Sequence, residues 1–486
     1  MNDKVNLGLL QTGVPGLDTV LGGGLPEFSF NLLAGPPGSG KTTLAHQIMF
    51  ALASSERRAL FFTVLGEPPL KMLRYQQQFS YFDMDKVGPA IRYVNLSESL
   101  RSGDFSGVLE RIMLEVETFS PALVFVDSFR SVVQTARPGN EGVNDLQYFV
   151  QELGTRMTSW QATTFLIGEY VTADPEANPI MTVADGVLSL AQVRQHSTVV
   201  RKMGVVKMRG RAHLAGLHNF SMSDQGLRIY PRILPSQAAA DMAPDRDPRR
   251  IPTGVPGLDT LLHGGMPQGH TMLLSGPTGS GKTIIGTRFL QEGARRGEKG
   301  VAMFFEKGSP RLRNAEMADM VRSGDVTVVE SRLLDLTVDE LIDELARTLK
   351  RTGAKRLVID SLSEFDLYMA PEYHADLRLA VFRLLSEVAG HGVSAIVTIG
   401  VNDAFGEMRF GEANIPFLTD AIVSLRYAEV DGRLQKFMSV IKVRGCAHSN
   451  EVRAYRITDA GLEVDELPTE VLGVFGGGAV RGQAPG

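Results

Sequence analysis

The sequence predicts two tandem α/β domains, each a mainly parallel sheet flanked by helices, and three observations predict it. Thr12-Gly13-Val14-Pro15-Gly16-Leu17-Asp18 recurs unchanged at 253–259, and the glycine-rich run 35–42 (GPPGSGKT) recurs at 276–283 (GPTGSGKT), both at an offset of 241. Val126-Asp127-Ser128 is answered by Ile359-Asp360-Ser361, and Lys207-Met208-Arg209-Gly210 by Lys442-Val443-Arg444-Gly445, in the same order and at similar spacing. Within each repeat, short apolar runs alternate with longer amphipathic ones, the pattern of strands and crossover helices.

The elements follow in order. Strands over 28–34 and 271–275 lead into the glycine-rich loops, and helices over 42–53 and 283–293 leave them. Strands over 60–64 and 301–305 come next, then helical segments over 70–79 and 311–320. The near-continuous apolar runs 123–126 and 357–359 suit strands covered on both faces. Long helical patterns then reach strands over 164–167 and 395–399. The expected domains are 1–231 and 251–467. A linker rich in Pro, Ala and charge spans 232–250, and the glycine-rich tail 468–486, poor in apolar anchors, is expected to be disordered.

The loops carry the strongest chemical signal. In G-x-x-x-x-G-K-[ST], glycines let main-chain N–H groups approach phosphate oxygens, and the following helix turns its positive end to the same anion. The first loop comprises Gly35, Pro36, Pro37, Gly38, Ser39, Gly40, Lys41, Thr42 and Thr43; the second comprises Gly276, Pro277, Thr278, Gly279, Ser280, Gly281, Lys282, Thr283 and Ile284. Lys41 and Lys282 can reach the β- and γ-phosphates of ATP, while Thr42 and Thr283 offer hydroxyls to Mg²⁺. Asp127 and Asp360, each ending an apolar strand, are placed to hold a magnesium-bound water.

Hydrolysis also needs a group that orients and activates water. Glu306 ends the apolar run 303–305, on a strand expected beside the phosphate-loop strand. At offset 241 its counterpart is Leu65, which cannot accept a proton, and Glu67 lies two positions on, on the same side if the strand persists. Lys207/Arg209 and Lys442/Arg444 stand at i, i+2 within apolar strands, so each pair shares one face. A cation pair on a buried side costs desolvation unless an anion meets it, which points to nucleotide contact. His213 and His448 are expected to make turn-stabilising hydrogen bonds. With only Cys446 nearby, no zinc site is expected.

Composition narrows the partners. Fifty Lys and Arg against 55 Asp and Glu leave a net charge of −5, so nucleic acid is not an expected partner. A single cysteine excludes an internal disulfide and suits a reducing compartment. Charges interrupt every apolar run before the roughly 18 residues that span a bilayer. The expectation is a soluble, cytoplasmic protein.

The paired loops, the T-G-x-x-G-L-D lead-in, Asp-Ser at the strand ends and K-x-R-G-x-x-H near the close of each half resemble the KaiC family of circadian-clock ATPases of cyanobacteria. The resemblance covers roughly residues 7–465. It implies RecA-like P-loop domains, stacked two-tier hexamers, and ATP held between neighbouring subunits. The Lys207/Arg209 and Lys442/Arg444 pairs would then reach the neighbour's γ-phosphate. Three features depart from or qualify the pattern. Clock members carry two adjacent glutamates where this chain has Leu65-Gly66 and Glu306-Lys307. Their Ser-Thr phosphoacceptor pair is replaced by Pro416 and Phe417 before Thr419-Asp420, and neither has a hydroxyl. Glu169 resembles a strand-end glutamate of the family's first domain, which would make it a γ-phosphate sensor.

The expected function is a slow, Mg²⁺-dependent ATPase that forms a ring and switches regulatory protein partners of unspecified identity. Two rivals are a Ser/Thr autokinase acting at other sites and a RecA-like ATPase acting on DNA. Phosphopeptide analysis after incubation with ATP distinguishes the first, and stimulation by single-stranded DNA the second. A third is a scaffold in which the first half, with Leu65 at the glutamate position, binds ATP without turning it over.

Overall fold

Among the described residues, nine strands form one sheet in each half. In the first they are β1 (Phe30–Ala34), β2 (Ala59–Thr63), β3 (Ile91–Asn95), β4 (Leu123–Asp127), β5 (Thr163–Gly168), β6 (Gly186–Gln195), β7 (Thr198–Met208), β8 (Leu217–Ser223) and β9 (Gly226–Tyr230). In the second they are β10 (Thr271–Gly276), β11 (Gly300–Phe304), β12 (Val326–Glu330), β13 (Arg356–Asp360), β14 (Ser394–Gly400), β15 (Ala421–Val430), β16 (Arg433–Val443), β17 (Val452–Thr458) and β18 (Gly461–Val464). The computed structural model describes residues 8–63, 69–97, 105–127, 140–168, 179–195, 198–232, 249–305, 315–330, 337–363, 377–401, 418–430, 432–458, 461–465, 471–472 and 480–481. The chain divides into two compact units, Met1–Ile233 and Leu234–Gly486.

The strand order is the same in both units: β3-β2-β4-β5-β1-β6-β7-β8-β9 and β12-β11-β13-β14-β10-β15-β16-β17-β18. The first six strands of each order run parallel, and the last three add an antiparallel extension. That extension is legible only around 205–206 and 440–441 in the sequence, where the apolar residues stand out.

Alternation along the central strands builds two core layers per sheet. In the first unit Leu33, Phe61, Phe125 and Phe165 pack with helix α1 (Lys41–Leu52) on one face. Leu32, Phe62, Val124 and Leu166 pack on the other with α3 (Phe105–Phe119) and α4 (Asn140–Ser159); α2 (Pro69–Gln76) precedes β3. In the second unit α5 (Lys282–Arg295) and α6 (Ala315–Arg322) cover one face, and α7 (Val338–Thr352) and α8 (Leu377–Gly390) the other.

The repeated heptapeptide is a structural latch. The main-chain N–H and hydroxyl of Thr12 both donate to Asp18 Oδ1, and Thr253 does the same to Asp259 Oδ1, all at 2.7–2.8 Å. A Cβ on Gly16 would lie 2.0 Å from the Ile229 carbonyl oxygen in β9, and one on Gly257 would lie 2.4 Å from Val464 Cβ in β18. The latch thus seats the start of each half on its own final strand, and only glycine allows the approach.

One expectation about neighbours needs correction. The strand after the phosphate-loop helix, β11, does not lie beside the phosphate-loop strand β10, because β13 and β14 stand between them. Strands lie about 4.8 Å apart, so crossing two extra places is a short lateral step for a crossover built around a helix. β11 instead borders β13, with Phe304 opposite Asp360. Within the tail expected to be disordered, Val471–Leu472 pairs antiparallel with Val480–Arg481. Most of the linker, residues 233–248, lies outside the described residues.

Candidate functional site

In both units the phosphate-type loop leaves the carboxyl end of a central parallel strand, β1 or β10, and enters a helix. The first glycine has no room for a side chain. A Cβ on Gly35 would meet the Leu190 carbonyl oxygen at 2.2 Å, and one on Gly276 the Leu425 Cβ at 2.8 Å. The last glycine, Gly40 or Gly281, caps the helix at φ 95°, a left-handed conformation. Neither cap supplies a side-chain hydrogen bond, and neither first turn contains an acidic residue. The helix N–H groups are therefore available to an anion, and the macrodipole favours one. The Ser39 and Ser280 hydroxyls are buried inside their loops without a hydrogen-bond partner. A cradle of donors with an orphaned hydroxyl fits phosphate oxygens.

Lys41 Nζ donates to the carbonyls of Gly35 and Pro36 at 2.9 and 2.8 Å, and Lys282 Nζ to those of Gly276 and Pro277 at 2.8 and 2.9 Å. Each lysine arches over its own loop. Burial holds the Lys282 ammonium below its usual pKa range, against the opposing pull of Asp360. Thr42 Oγ1 donates to Asp127 Oδ2 at 2.7 Å and Thr283 Oγ1 to Asp360 Oδ2 at 2.6 Å. The sequence-separated threonine and aspartate thus meet in both units, as an all-oxygen donor set of the kind Mg²⁺ takes. Thr43 and Ile284 follow as partly buried helix residues.

Contacts that sequence spacing did not reveal hold the loops in place. Gln192 Nε2 donates to the Gly38 carbonyl. In the second unit the Tyr427 hydroxyl donates to Thr278 O at 3.3 Å and the buried Tyr455 hydroxyl to Ser280 O at 2.6 Å. Gln192 and Tyr427 occupy equivalent places, opposite Arg201 and Lys436 in the two sheets. His46 Nδ1 donates to Thr42 O at 2.8 Å, and Thr287 Oγ1 to Thr283 O at 2.9 Å. The hydroxyl of Thr398 donates to Asp360 Oδ1. Their sequence signals are single residues on strands or helix faces whose partners are far along the chain.

The cation pairs sit elsewhere. Lys207 pairs with Val187 in β6, which pairs with Leu32 in β1, so it lies toward the end of the sheet away from the loop. Its ammonium turns further off, to the carbonyls of Met181 and Thr182 at 3.0 Å each. Arg209 lies past the strand end and pairs with Asp185 at 3.1 Å. Lys442 and Arg444 repeat the arrangement, on Thr419 O at 2.8 Å and Asp420 at 3.5 Å. The expected buried strand face is corrected here. Each strand ends one residue before its arginine, and the Arg209 and Arg444 side chains are 56% and 53% exposed. Burial followed by the neighbouring arginine lowers the pKa of Lys207 and Lys442, while the aspartate opposes both effects.

Asp185 and Asp420 also accept main-chain N–H bonds from Phe30 and Thr271, at 3.0 Å each, tying the foot of β6 or β15 to that of the loop strand. The turn bond expected of His213 is not made through Nδ1, which is buried without a partner. Glu67, Glu306, Glu169, Pro416 and Phe417 lie outside the described residues. Among the described residues no cluster of three or more His, Cys, Asp or Glu forms a metal site, and no helix is long and apolar enough to cross a membrane.

A family profile described as "ATPase: KaiC" matches residues 10–233 and 251–469. The chain is similar to the circadian clock oscillator protein KaiC of a Picosynechococcus species, with 25% identity over 473 residues that cover 94% of this chain and 89% of that one. It is 24% identical to the protein of the same name from Prochlorococcus marinus over 494 residues, covering 97% and 95%. The Synechocystis protein named KaiC 1 is 25% identical over 475 residues, covering 94% and 88%.

Proposed function

The chain belongs to the KaiC family of ATPases, and from that membership we propose that it binds ATP with Mg²⁺ in both halves and hydrolyses it slowly. It assembles as a ring, a hexamer on the family pattern, and acts in the cytoplasm as a nucleotide-dependent switch for protein partners. The observation that carries the reading is the duplicated hydrogen bond from a loop threonine to a strand-end aspartate, Thr42 to Asp127 and Thr283 to Asp360, beside a glycine-capped helix.

Each residue has a role in that reading. Loop N–H groups and the helix end bind the β- and γ-phosphates, and Lys41 and Lys282 exchange loop carbonyls for phosphate oxygens. Thr42 and Thr283 are magnesium ligands, and Asp127 and Asp360 orient the metal's water. Bound Mg²⁺ would neutralise charge developing on the transferring phosphoryl group. Glu306, and Glu67 in the first half, are the candidates for activating water. The orientation of the cation pairs away from their own loops supports action on a neighbouring subunit's nucleotide. So does the repeated exposure of apolar residues on β7 and β16, Val199 and Val206 against Leu434 and Ile441.

Lys41→Ala and Lys282→Ala are expected to weaken ATP binding each in its own half, measured by equilibrium binding to the full chain. A double variant that binds and hydrolyses ATP like the parent refutes the assignment.

A further inference from the structure

A buried phenol grips the second phosphate-type loop at one peptide. Tyr455 stands in β17, abreast of Lys436 in β16 and Val464 in β18, and is 2% exposed. Its hydroxyl donates to the Ser280 carbonyl at 2.6 Å. Burial, then the nearby Tyr427 phenol, pushes its pKa above the ordinary tyrosine range, so it remains a donor. In a planar trans peptide the C=O and the following N–H point in opposite directions. A Ser280 carbonyl held by β17 therefore turns the Gly281 N–H away from that strand. Gly281 does not fix the peptide by itself, because it lacks a Cβ and sits at φ 95°. Ile457 and Leu462 lie 3.2 and 3.3 Å from where a Cβ would stand, but these apolar side chains offer no hydrogen bond. Ser280 also carries the buried hydroxyl that has no partner.

We propose that Tyr455 is a positioning residue for the second loop, holding the Ser280–Gly281 peptide so that the Gly281 N–H meets the polyphosphate tail of a nucleotide. The inference rests on the nucleotide reading above. A loop that is competent only part of the time binds with an affinity lowered by that fraction. Losing one neutral hydrogen bond shifts such an equilibrium by up to about tenfold. Phe220 fills the equivalent place in the first unit, abreast of Arg201 and Ile229, so the ring without its hydroxyl suits this position. Tyr455 acts through the main chain of the loop, not on the nucleotide directly.

The test uses the full chain with the first loop silenced by Lys41→Ala and a fluorescent ATP analogue, followed at equilibrium and by stopped flow. Tyr455→Phe is expected to weaken binding about fivefold, through slower association, because fewer loops are ready when the nucleotide arrives. The loss should persist in EDTA, since main-chain N–H groups need no metal. Inorganic tripolyphosphate, competing with the analogue, should lose the same factor, since the peptide faces phosphate and neither base nor sugar. A phenol that only stabilised the unit would lower the thermal unfolding midpoint and leave these binding constants unchanged well below it. A Tyr455→Phe chain with the parent's affinity, a loss confined to dissociation, or unchanged tripolyphosphate competition overturns the proposal and leaves the nucleotide reading standing. A Lys41→Ala chain that binds no analogue at its intact second loop overturns both.

Discussion

His46 occupies the place in α1 that Thr287 occupies in α5, four residues after the loop threonine, and each donates to that threonine's carbonyl. Only one of the two can titrate. The imidazole is fully buried, with its ring centroid 4.3 Å from Phe61 and 6.0 Å from Tyr93. Burial pulls its pKa from 6.5 down to about 4, against the opposing hydrogen bond to Thr42. Because the carbonyl accepts, Nδ1 carries the proton of the neutral ring, and Nε2 lies buried without a partner. An unfolded His46 takes up a proton as pH falls through 6.5, whereas the folded one resists until about 4. Stability of the first unit is therefore expected to fall across that window, by about 3 kcal/mol from this group once pH reaches the folded value. Denaturant unfolding at a series of pH values checks it: His46→Thr should flatten this part of the slope, and a variant with the parent's slope would refute the assignment. The loop lysines and threonines were legible because they stand together in one contiguous glycine-rich motif. His46 was not, since helix spacing marks a face but not the carbonyl that the side chain will reach.

At the scale of elements, the two sheets share one strand order but differ in how the start of one interior strand is tied. Arg356 opens β13 where Leu123 opens β4, and its side chain is fully buried. Its Nε donates to Glu298 at 2.7 Å and its Nη1 to the carbonyls of Pro252 and Phe289, with the guanidinium 4.5 Å over the Phe289 ring. The arginine thus ties the residue before the latch, helix α5 and strand β13 together, and Gly293 makes room, since a Cβ there would meet Arg356 Cδ at 2.6 Å. Removing one partner of a buried ion pair costs more than removing both, because the remaining charge stays in a poor solvent. Glu298→Gln is expected to destabilise the second unit by about 2 kcal/mol, reduced from the fully buried case because the glutamate is partly exposed. Adding Arg356→Leu should recover part of that loss; thermal unfolding of the single and double variants measures both. The parallel strands were readable as apolar runs because both faces are covered. Their order was not, because a crossover fixes a direction of travel but not how many places it skips, which is why β11 was expected beside β10. The antiparallel extension was largely hidden because most of its strands are partly exposed and mix polar with apolar residues.

For the whole molecule, duplication was the most legible property, because a repeat declares itself letter by letter. What the repeat is for depends on where its cations point. Lys207, Arg209, Lys442 and Arg444 lie toward the foot of their sheets, while the phosphate-type loops open at the opposite ends of the parallel strands. No side chain rotation carries an arginine tip over the several strand residues, at about 3.3 Å each, that separate it from its own loop. If these cations serve catalysis, they do so across a heterologous, ring-forming contact, in which each subunit gives one surface and receives another. That geometry predicts complementation between two inactive chains. A Lys282→Ala chain has a disabled second loop but can lend Arg444, and an Arg444→Ala chain keeps a working loop but lends nothing. Mixed in equal amounts with subunit exchange, they should recover about one quarter of the parent's second-half activity, because half the subunits keep the loop and half of those meet an intact donor. The assay is phosphate release with the first loop silenced in both partners, alongside light scattering to follow assembly in ATP. Cations acting on their own nucleotide would leave the mixture no more active than the mean of its two components, and that outcome would remove the ring-interface role from the pairs.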